Sequence, residues 1–462
     1  MPMLIDTTTP MHVLNECLAA DGSVKPVYRN LMNSVESLGV EELQRRWSVA
    51  KEQAALDAFT FMLDPREFRT VPTDWMPRLI PEQDWEVISR GVAQRLKAIN
   101  RFLLELYCGE QEEVVPPDVM YSCQYYNPEL QDFRPARDVF VHVYGIDLVH
   151  MGEGRYVILE DNLRIPSGIS YQMKSTEIGM DVLPEMTAGY DIVPYDIRAA
   201  YHEMFASLCD TPDPVCVLLT DSKYGSAFFE HRYLSELLGI PLVEGSDLYV
   251  GDNGRVWGRA MDGDFEVDLV YRRVEDLELF VPGLTEAYLD HKVVLVNAMG
   301  TGACDDKLVF LWVPDMIERY LGENAILEQA VSYDLRLPAN REYVLQNLDS
   351  LVLKTRQGYG GLGVFILPDL DKGYRSRLAQ QLIEQPQVFI AQETLDFSRH
   401  LVFDELNGEF EERYIDLRVF AVQNGNGEVT VFPGGLTRVS EANSRVTNNS
   451  SGGSCKPSWV VR

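Results

Sequence analysis

The chain lacks most of the features that assign a protein to a class at a glance. It has seven cysteines in 462 residues, at positions 17, 108, 123, 209, 216, 304 and 455, and no C-x-x-C among them. An odd and scattered set excludes a disulfide framework and a zinc knuckle, and it fits reduced thiols. No basic segment followed by an apolar stretch opens the sequence, and no run reaches the length of a membrane span. The expectation is a soluble cytoplasmic protein with no membrane partner. Positive charge is scarce too, with 41 Lys and Arg against 71 Asp and Glu and a formal net charge of −30. Such a field repels polyanions and argues against nucleic acid as a partner. It also repels nucleotides, so a phosphate site here has to be built locally from a few Lys, Arg, backbone amides and a divalent cation. Catalytic signatures are missing as well: there is no Walker G-K-[ST], no G-x-S-x-G elbow, and His202-Glu203 is not followed by the second histidine of a zincin helix.

What remains is ordinary globular composition, 46% hydrophobic and 24% charged. Hydrophobic period divides it into regions. Residues 81–107 carry helical spacing whose aromatic and aliphatic positions read as core. VFVHVYGIDLVH (139–150) and YVILEDN (156–162) read as strands joined by the turn MGEGR. From about 213 to 325, apolar strands alternate with a helical segment, the pattern of an open α/β domain. From about 345 onward, short strands follow one another and predict a largely antiparallel region. The working boundaries are an N-terminal segment 1–60 of unassigned role, a helical part with the hairpin (61–210), the open α/β domain (211–330) and a Gly-rich, strand-rich remainder (331–462).

Two constellations carry chemistry. In LVLKTRQGYGGLGVFIL (351–367), Gly358, Gly360 and Gly363 match G-x-G-x-x-G, but a strand follows where a dinucleotide site needs a helix. A strand–loop–strand of this kind can fold over a triphosphate, with Lys354 neutralising phosphate oxygens; it is equally a Gly-rich surface hairpin with a solvated lysine. In the hairpin, Glu160 and Asn162 alternate onto one strand face and Asp161 onto the other. With the turn centred near residue 153, Asp147 falls about opposite Glu160, a repulsion that Mg²⁺ would relieve. Arg164 would share that face if the strand continued. The alternative is a solvated acidic hairpin edge.

Together these residues resemble the ATP-grasp superfamily, in which a Gly-rich lid with a lysine precedes a metal-binding E-x-N-x-R segment. Here Glu160-Asp161-Asn162-Leu163-Arg164 comes before Lys354. The chain therefore resembles the circularly permuted ATP-grasp family, whose relatives include the synthetase domain of glutathionylspermidine synthetase. The likeness runs from about residue 60 to the end, through DWMPRLIPEQDWEVISRGVAQR, LEDNLRIPSG, VNAMGTGACDDKLVF, LKTRQGYGGLG, IAQE, DLRVFAV, PGGLTRV and NNSSGG. It implies an α/β fold with α+β character: ATP-grasp elements in permuted order, a pre-ATP-grasp-like open α/β domain and an antiparallel lid region.

The resemblance also implies roles. Asp147, Glu160 and Asn162 look like Mg²⁺ ligands. Arg164 looks like the arginine that steadies the reacting phosphoryl and acyl groups, and Arg418 is similar to family residues near phosphate or acyl oxygens. A cross-strand ion pair with Asp416 or a neighbour accounts equally well for Arg418. Lys307 and Lys354 look like the pair that holds nucleotide phosphates. Gly358, Tyr359, Gly360, Gly361 and Gly363 look like the lid, and Ala391-Gln392-Glu393 resembles the hinge that reads adenine. Asn449, in the NNSSGG loop, is a candidate phosphate contact or part of a plain turn. The ending SCKPSWV departs from the family's Lys-Asp pair at Pro457, and Cys304 near Lys307 reads as a packed thiol. The implied activity is an ATP- and Mg²⁺-dependent carboxylate–amine ligase, with glutathione and spermidine as the suggested partners. The rival is a nucleotide-binding sensor or scaffold without turnover.

Overall fold

The structure is a computed structural model that describes residues 14–64, 67–109, 114–358, 363–442, 444–447 and 453–462. The helix expected at 81–107 runs Glu82–Cys108, with Glu82 and Asp84 in its first turn, where the helix dipole favours negative charge. Its inner face buries Trp85, Ile88, Val92, Leu96, Ile99, Phe102 and Leu103, the three-and-four spacing of an amphipathic helix. From the same helix Asn100 accepts the backbone N–H groups of Phe140 and Val141 and donates to the Val141 carbonyl and to Gln423. Asn297 in turn accepts the N–H groups of His142 and Val143. These two asparagines take up the N–H groups of 140–142, and the strand expected from 139 starts only at Val143.

The hairpin itself pairs Val143–His150 with Tyr156–Asn162, and its turn contains Gly152, Glu153 and Gly154, all with positive φ. Beside it runs the long strand Glu409–Gln423, antiparallel, followed by Leu436–Val439 and Ser454–Lys456 in the same eight-stranded sheet. A second sheet, four-stranded and parallel, orders Val294–Val296, Leu269–Arg272, Cys216–Leu219 and Leu242–Val243, the open α/β unit that the sequence predicts. A third, antiparallel, orders Ser332–Asp334, Phe389–Glu393, Leu351–Thr355 and Val364–Ile366. Leu378 and Leu382, one turn apart on the helix Lys372–Glu384, close a small core over this sheet with Leu351, Leu353 and Phe389. Among the described residues no helix is long and apolar enough to cross a membrane.

The first and last described segments both join this body. Ser458–Val461 pairs in parallel with Arg78–Pro81. Residues 14–18 bring Glu16 into the interior, where it takes two hydrogen bonds from Arg78, at 2.8 and 2.6 Å, and contacts His150 Nδ1 and Ser398 Oγ. Burial opposes ionisation of Glu16, yet Arg78 and His150 hold its carboxyl well below the usual carboxylate range. Lys456, fully buried, pairs with Asp74 at 2.8 Å and donates to the Leu401 carbonyl, so the lysine before Pro457 is a structural cation.

Removing one member of a buried pair strands the other charge. Glu16→Gln is therefore expected to lower stability by about 3–5 kcal/mol at neutral pH, read as a fall in the urea midpoint. Because the folded Glu16 carboxyl ionises below the unfolded one, this contribution is complete above the ordinary carboxylate pKa of about 4.3 and is lost as pH falls through the folded value. The gap between wild type and variant should accordingly narrow in acid. A gap that persists unchanged to low pH would show that packing, and not the ion pair, carries the effect.

Candidate functional site

The exposed face of the hairpin forms one wall of a cleft of about 950 Å³, and the third sheet forms the other. Strand pairing places Asp147 opposite Glu160, and Gly145 opposite Asn162. The ladder shifts between Asp147 and Leu148, leaving Leu159 as an extra, unpaired residue. Asp161 faces the other way, where Arg95 holds both its oxygens at 2.8 and 2.6 Å and Tyr144 donates its hydroxyl. The cleft has two chemically distinct parts. Leu159, Val352, Val364, Ile366, Leu395 and Phe397 supply apolar surface, while Asp147, Glu160, Lys307, Lys354, Asp416, Arg418 and Arg438 supply charge.

Asp147 also stands opposite Arg418 on the long strand, and Arg418 grips both its oxygens at 2.6 and 2.8 Å. Arg438 adds a third bond to Asp147 at 2.8 Å and binds Asp416, the residue across from it, at 2.9 and 2.6 Å. Burial raises the Asp147 carboxyl, but Arg418 and then Arg438 outweigh it and hold the group well below the usual range. Arg418 thus forms an ion pair with a neighbour, Asp147, while Asp416 pairs with Arg438 instead.

The expected Mg²⁺ ligands are together but unequal. Glu160 is partly exposed and its only charged contact among the described residues is Lys307, at 3.5 Å. Asn162 Oδ1 has a long contact of 3.4 Å from Arg418, and its Nδ2 is buried without a partner. Both oxygens of Asp147 are committed to guanidinium groups. Among the described residues no group of three His, Cys, Asp or Glu side chains stands ready to hold a metal ion. The donor set fits an ion of the Mg²⁺ kind that takes one or two protein oxygens and completes its shell with water and substrate phosphate. Glu160 and Asn162 would hold it, and Asp147 could join only after Arg418 releases it.

Both lysines reach the cleft. Lys307 Nζ donates to the Gly358 carbonyl at 2.7 Å, and Lys354 Nζ to the carbonyl of the bulged Leu159 at 3.4 Å. Burial lowers the Lys354 pKa to about 8, against the pull of Glu160. Gly363 closes the lid hairpin by accepting from Thr355 N at 2.8 Å, with φ +80°. Ala391 lies fully buried at the middle of its sheet, between Tyr333 and Leu353. Gln392 and Glu393 line the cleft with Thr394 and Leu395 after them. Tyr359, Gly360, Gly361 and Asn449 lie outside the described residues.

Arg164 does not share the Glu160 face. The strand stops at Asn162 because Asp305 captures the Leu163 N–H at 2.6 Å, and Arg164 turns to Asp305 at 2.5 Å and Glu275 at 3.0 Å. Its guanidinium lies 3.9 Å from the Tyr125 ring centre, outside the cleft lining. Sequence reasoning missed Arg438, Arg445 and Thr447. Alternation along Leu436–Val439 could have flagged Arg438 opposite Asp416. Arg445 and Thr447 sit in an irregular segment with no period to read.

A family model for the circularly permuted ATP-grasp type 2 proteins matches residues 77–440. The chain belongs to that family. Its relatives include an uncharacterized protein of Mycobacterium tuberculosis, 36% identical over 467 residues and covering 97% of this chain and 84% of that one. Another, from Synechocystis, is 34% identical over 485 residues, with 100% and 99% covered. A Frankia alni protein named "Putative glutamate--cysteine ligase 2-3" is 34% identical over 484 residues, and the match spans all of this chain but 55% of that one. Among solved structures, a glutathione synthetase-like effector from Globodera pallida superposes with a TM-score of 0.62 over 91% of this chain and 97% of its own. At 14% identity that likeness concerns the fold alone.

In this ATP-grasp chain, a Cβ at residue 363 would lie 2.1 Å from Thr355 Oγ1 and would sit at a φ that side chains avoid. Gly363→Ala is expected to strain the hairpin by about 1–3 kcal/mol and to weaken binding of a Mg²⁺-bound, non-hydrolysable ATP analogue several-fold. A fall in the unfolding midpoint reads the strain and calorimetry on the folded variant reads the affinity; unchanged affinity would separate hairpin closure from the site.

Proposed function

We propose that the protein is an ATP-dependent carboxylate–amine ligase that works through an acyl phosphate. The observation that carries this reading is the meeting, in one cleft, of Asp147 and Glu160 with Lys307, Lys354 and an apolar slot, with Asn162 two residues beyond Glu160 on the same strand. Adenine would enter between Val352, Ile366 and Leu395, with Glu393 and the residues after it at its edge. Lys307 and Lys354 would exchange their resting carbonyl partners for nucleotide phosphates. Bound Mg²⁺ would supply charge neutralisation between the phosphates and Glu160 and Asn162. The substrate carboxylate attacks the terminal phosphorus and releases ADP; the amine then attacks the acyl carbon and releases phosphate in place of a poor leaving group. Arg418, fixed by Asp147, presents positive charge at the cleft floor, preorganised before charge develops. Arg164 reaches the reacting groups only by leaving Asp305 and Glu275.

For substrates, the name of the Frankia relative, a putative glutamate–cysteine ligase, supports the joining of an amino-acid carboxylate to an amine. We infer an amino-acid or peptide carboxylate and a primary amine, glutathione and spermidine being one such pair. Nearly half of the Frankia protein lies beyond the match.

Glu160→Ala is expected to cut Mg²⁺-dependent ADP formation at least a hundredfold in a screen of carboxylates with amines, with an unaltered unfolding midpoint. Lys354→Ala should weaken nucleotide affinity about tenfold or more. Full activity in the first variant would remove the metal role of Glu160. Tight nucleotide binding with no ADP release under any substrate pair would favour the sensor reading.

A further inference from the structure

We propose that Arg445 is a further phosphate-binding residue of the cleft, which sequence reasoning did not single out; the proposal rests on the nucleotide reading above. Among the described residues five cationic side chains line the cleft, and four are occupied at short range. Arg418 and Arg438 are locked on Asp147 and Asp416. Lys307 holds the Gly358 carbonyl and Lys354 the Leu159 carbonyl. Arg445 is different. Among the described residues its carboxylate partner is Asp369, at 4.0 Å, the outer limit of an ion pair. Its guanidinium rests 5.8 Å from the Tyr414 ring centre, and its side chain is 30% exposed.

A guanidinium in that state keeps its planar fork of donors available at little cost, because a half-exposed pair at 4.0 Å contributes little. The arginine also stands where the two walls meet. Asp369 ends the short turn after the lid strand Val364–Ile366, whereas Thr447, two residues beyond Arg445, bonds Asp416 on the main sheet. An incoming phosphate would draw Arg445 away from Asp369 and give it the bidentate oxyanion partner it lacks. In a chain of net charge −30, one cation with uncommitted donors inside the cleft is the kind of local counter-charge that a nucleotide requires.

The test is calorimetric titration of the full chain with AMP-PNP and with ADP, each with Mg²⁺, for wild type, Arg445→Gln, Arg445→Lys, Asp369→Asn and Lys354→Ala. Arg445→Gln should weaken one or both nucleotides about tenfold to a hundredfold, with Arg445→Lys intermediate. Loss confined to AMP-PNP assigns the terminal phosphate, and equal loss assigns an inner one. Asp369→Asn, which frees the arginine, should leave affinity unchanged or tighter. If Arg445→Gln binds both nucleotides as wild type does, the proposal falls. It falls equally if Asp369→Asn weakens binding as much as Arg445→Gln, since the pair would then be a structural latch. Lys354→Ala separates the two levels: weakening there with none in Arg445→Gln overturns only this inference, whereas a wild type that binds neither nucleotide overturns the site itself.

Discussion

The structure depends on a run of alternating charge across the centre of its largest sheet. Asp147, Arg418, Arg438 and Asp416 come from three neighbouring strands, and each charge is matched by at least one opposite partner within hydrogen-bond distance. Isolated, any of these groups would be expensive to bury. Linked, they tolerate burial and fix register, because sliding one strand by a residue would turn a carboxylate or an arginine to the opposite face. The network, net neutral, fixes guanidinium donors at the floor of the cleft and leaves the contacts to neutral carbonyls to the lysines above it.

That division explains how the cleft can be both stable and receptive. Lys307 and Lys354 rest on backbone carbonyls, neutral acceptors that an anion can displace with a net gain in charge pairing. The lowered Lys354 pKa reflects the same condition: the ammonium is buried with only partial compensation. The floor arginines, by contrast, are already satisfied and offer orientation more than affinity. Asp147 lies between these roles, since the guanidinium groups it anchors occupy the oxygens through which it would meet a cation.

Much of this was legible in the sequence, and the rest was not for identifiable reasons. The strand 156–162 and the helix beginning near 82 followed from local period and turn residues, and the motif order identified the family. Arg164 was misplaced because its direction depends on Asp305, more than a hundred residues away, which ends the strand early. The late start of the strand at Val143 depends on Asn100 and Asn297, again remote in sequence. The N-terminal segment gave no sign that Glu16 would be buried against Arg78. Local pattern specifies elements; the side chains that trim and clamp them come from elsewhere in the chain.

The unpaired Leu159 sets a parity. From the turn, the pairs run His150 with Tyr156, Val149 with Val157 and Leu148 with Ile158, and an unbroken count would bring Asp147 against Leu159. The added residue reverses the orientation of everything beyond it. Glu160 and Asn162 therefore arrive on the side of Asp147, and Asp161 arrives at Arg95. Were Leu159 paired with Asp147 instead of bulged out, the same ladder would carry Glu160 and Asn162 opposite Ile146 and Tyr144, into the packed side beneath the helix, and swing Asp161 out into the cleft. Deleting Leu159, by contrast, would straighten the strand and leave Glu160 facing Asp147. The bulge, and not the residue count alone, decides which of the alternating polar side chains the cleft receives.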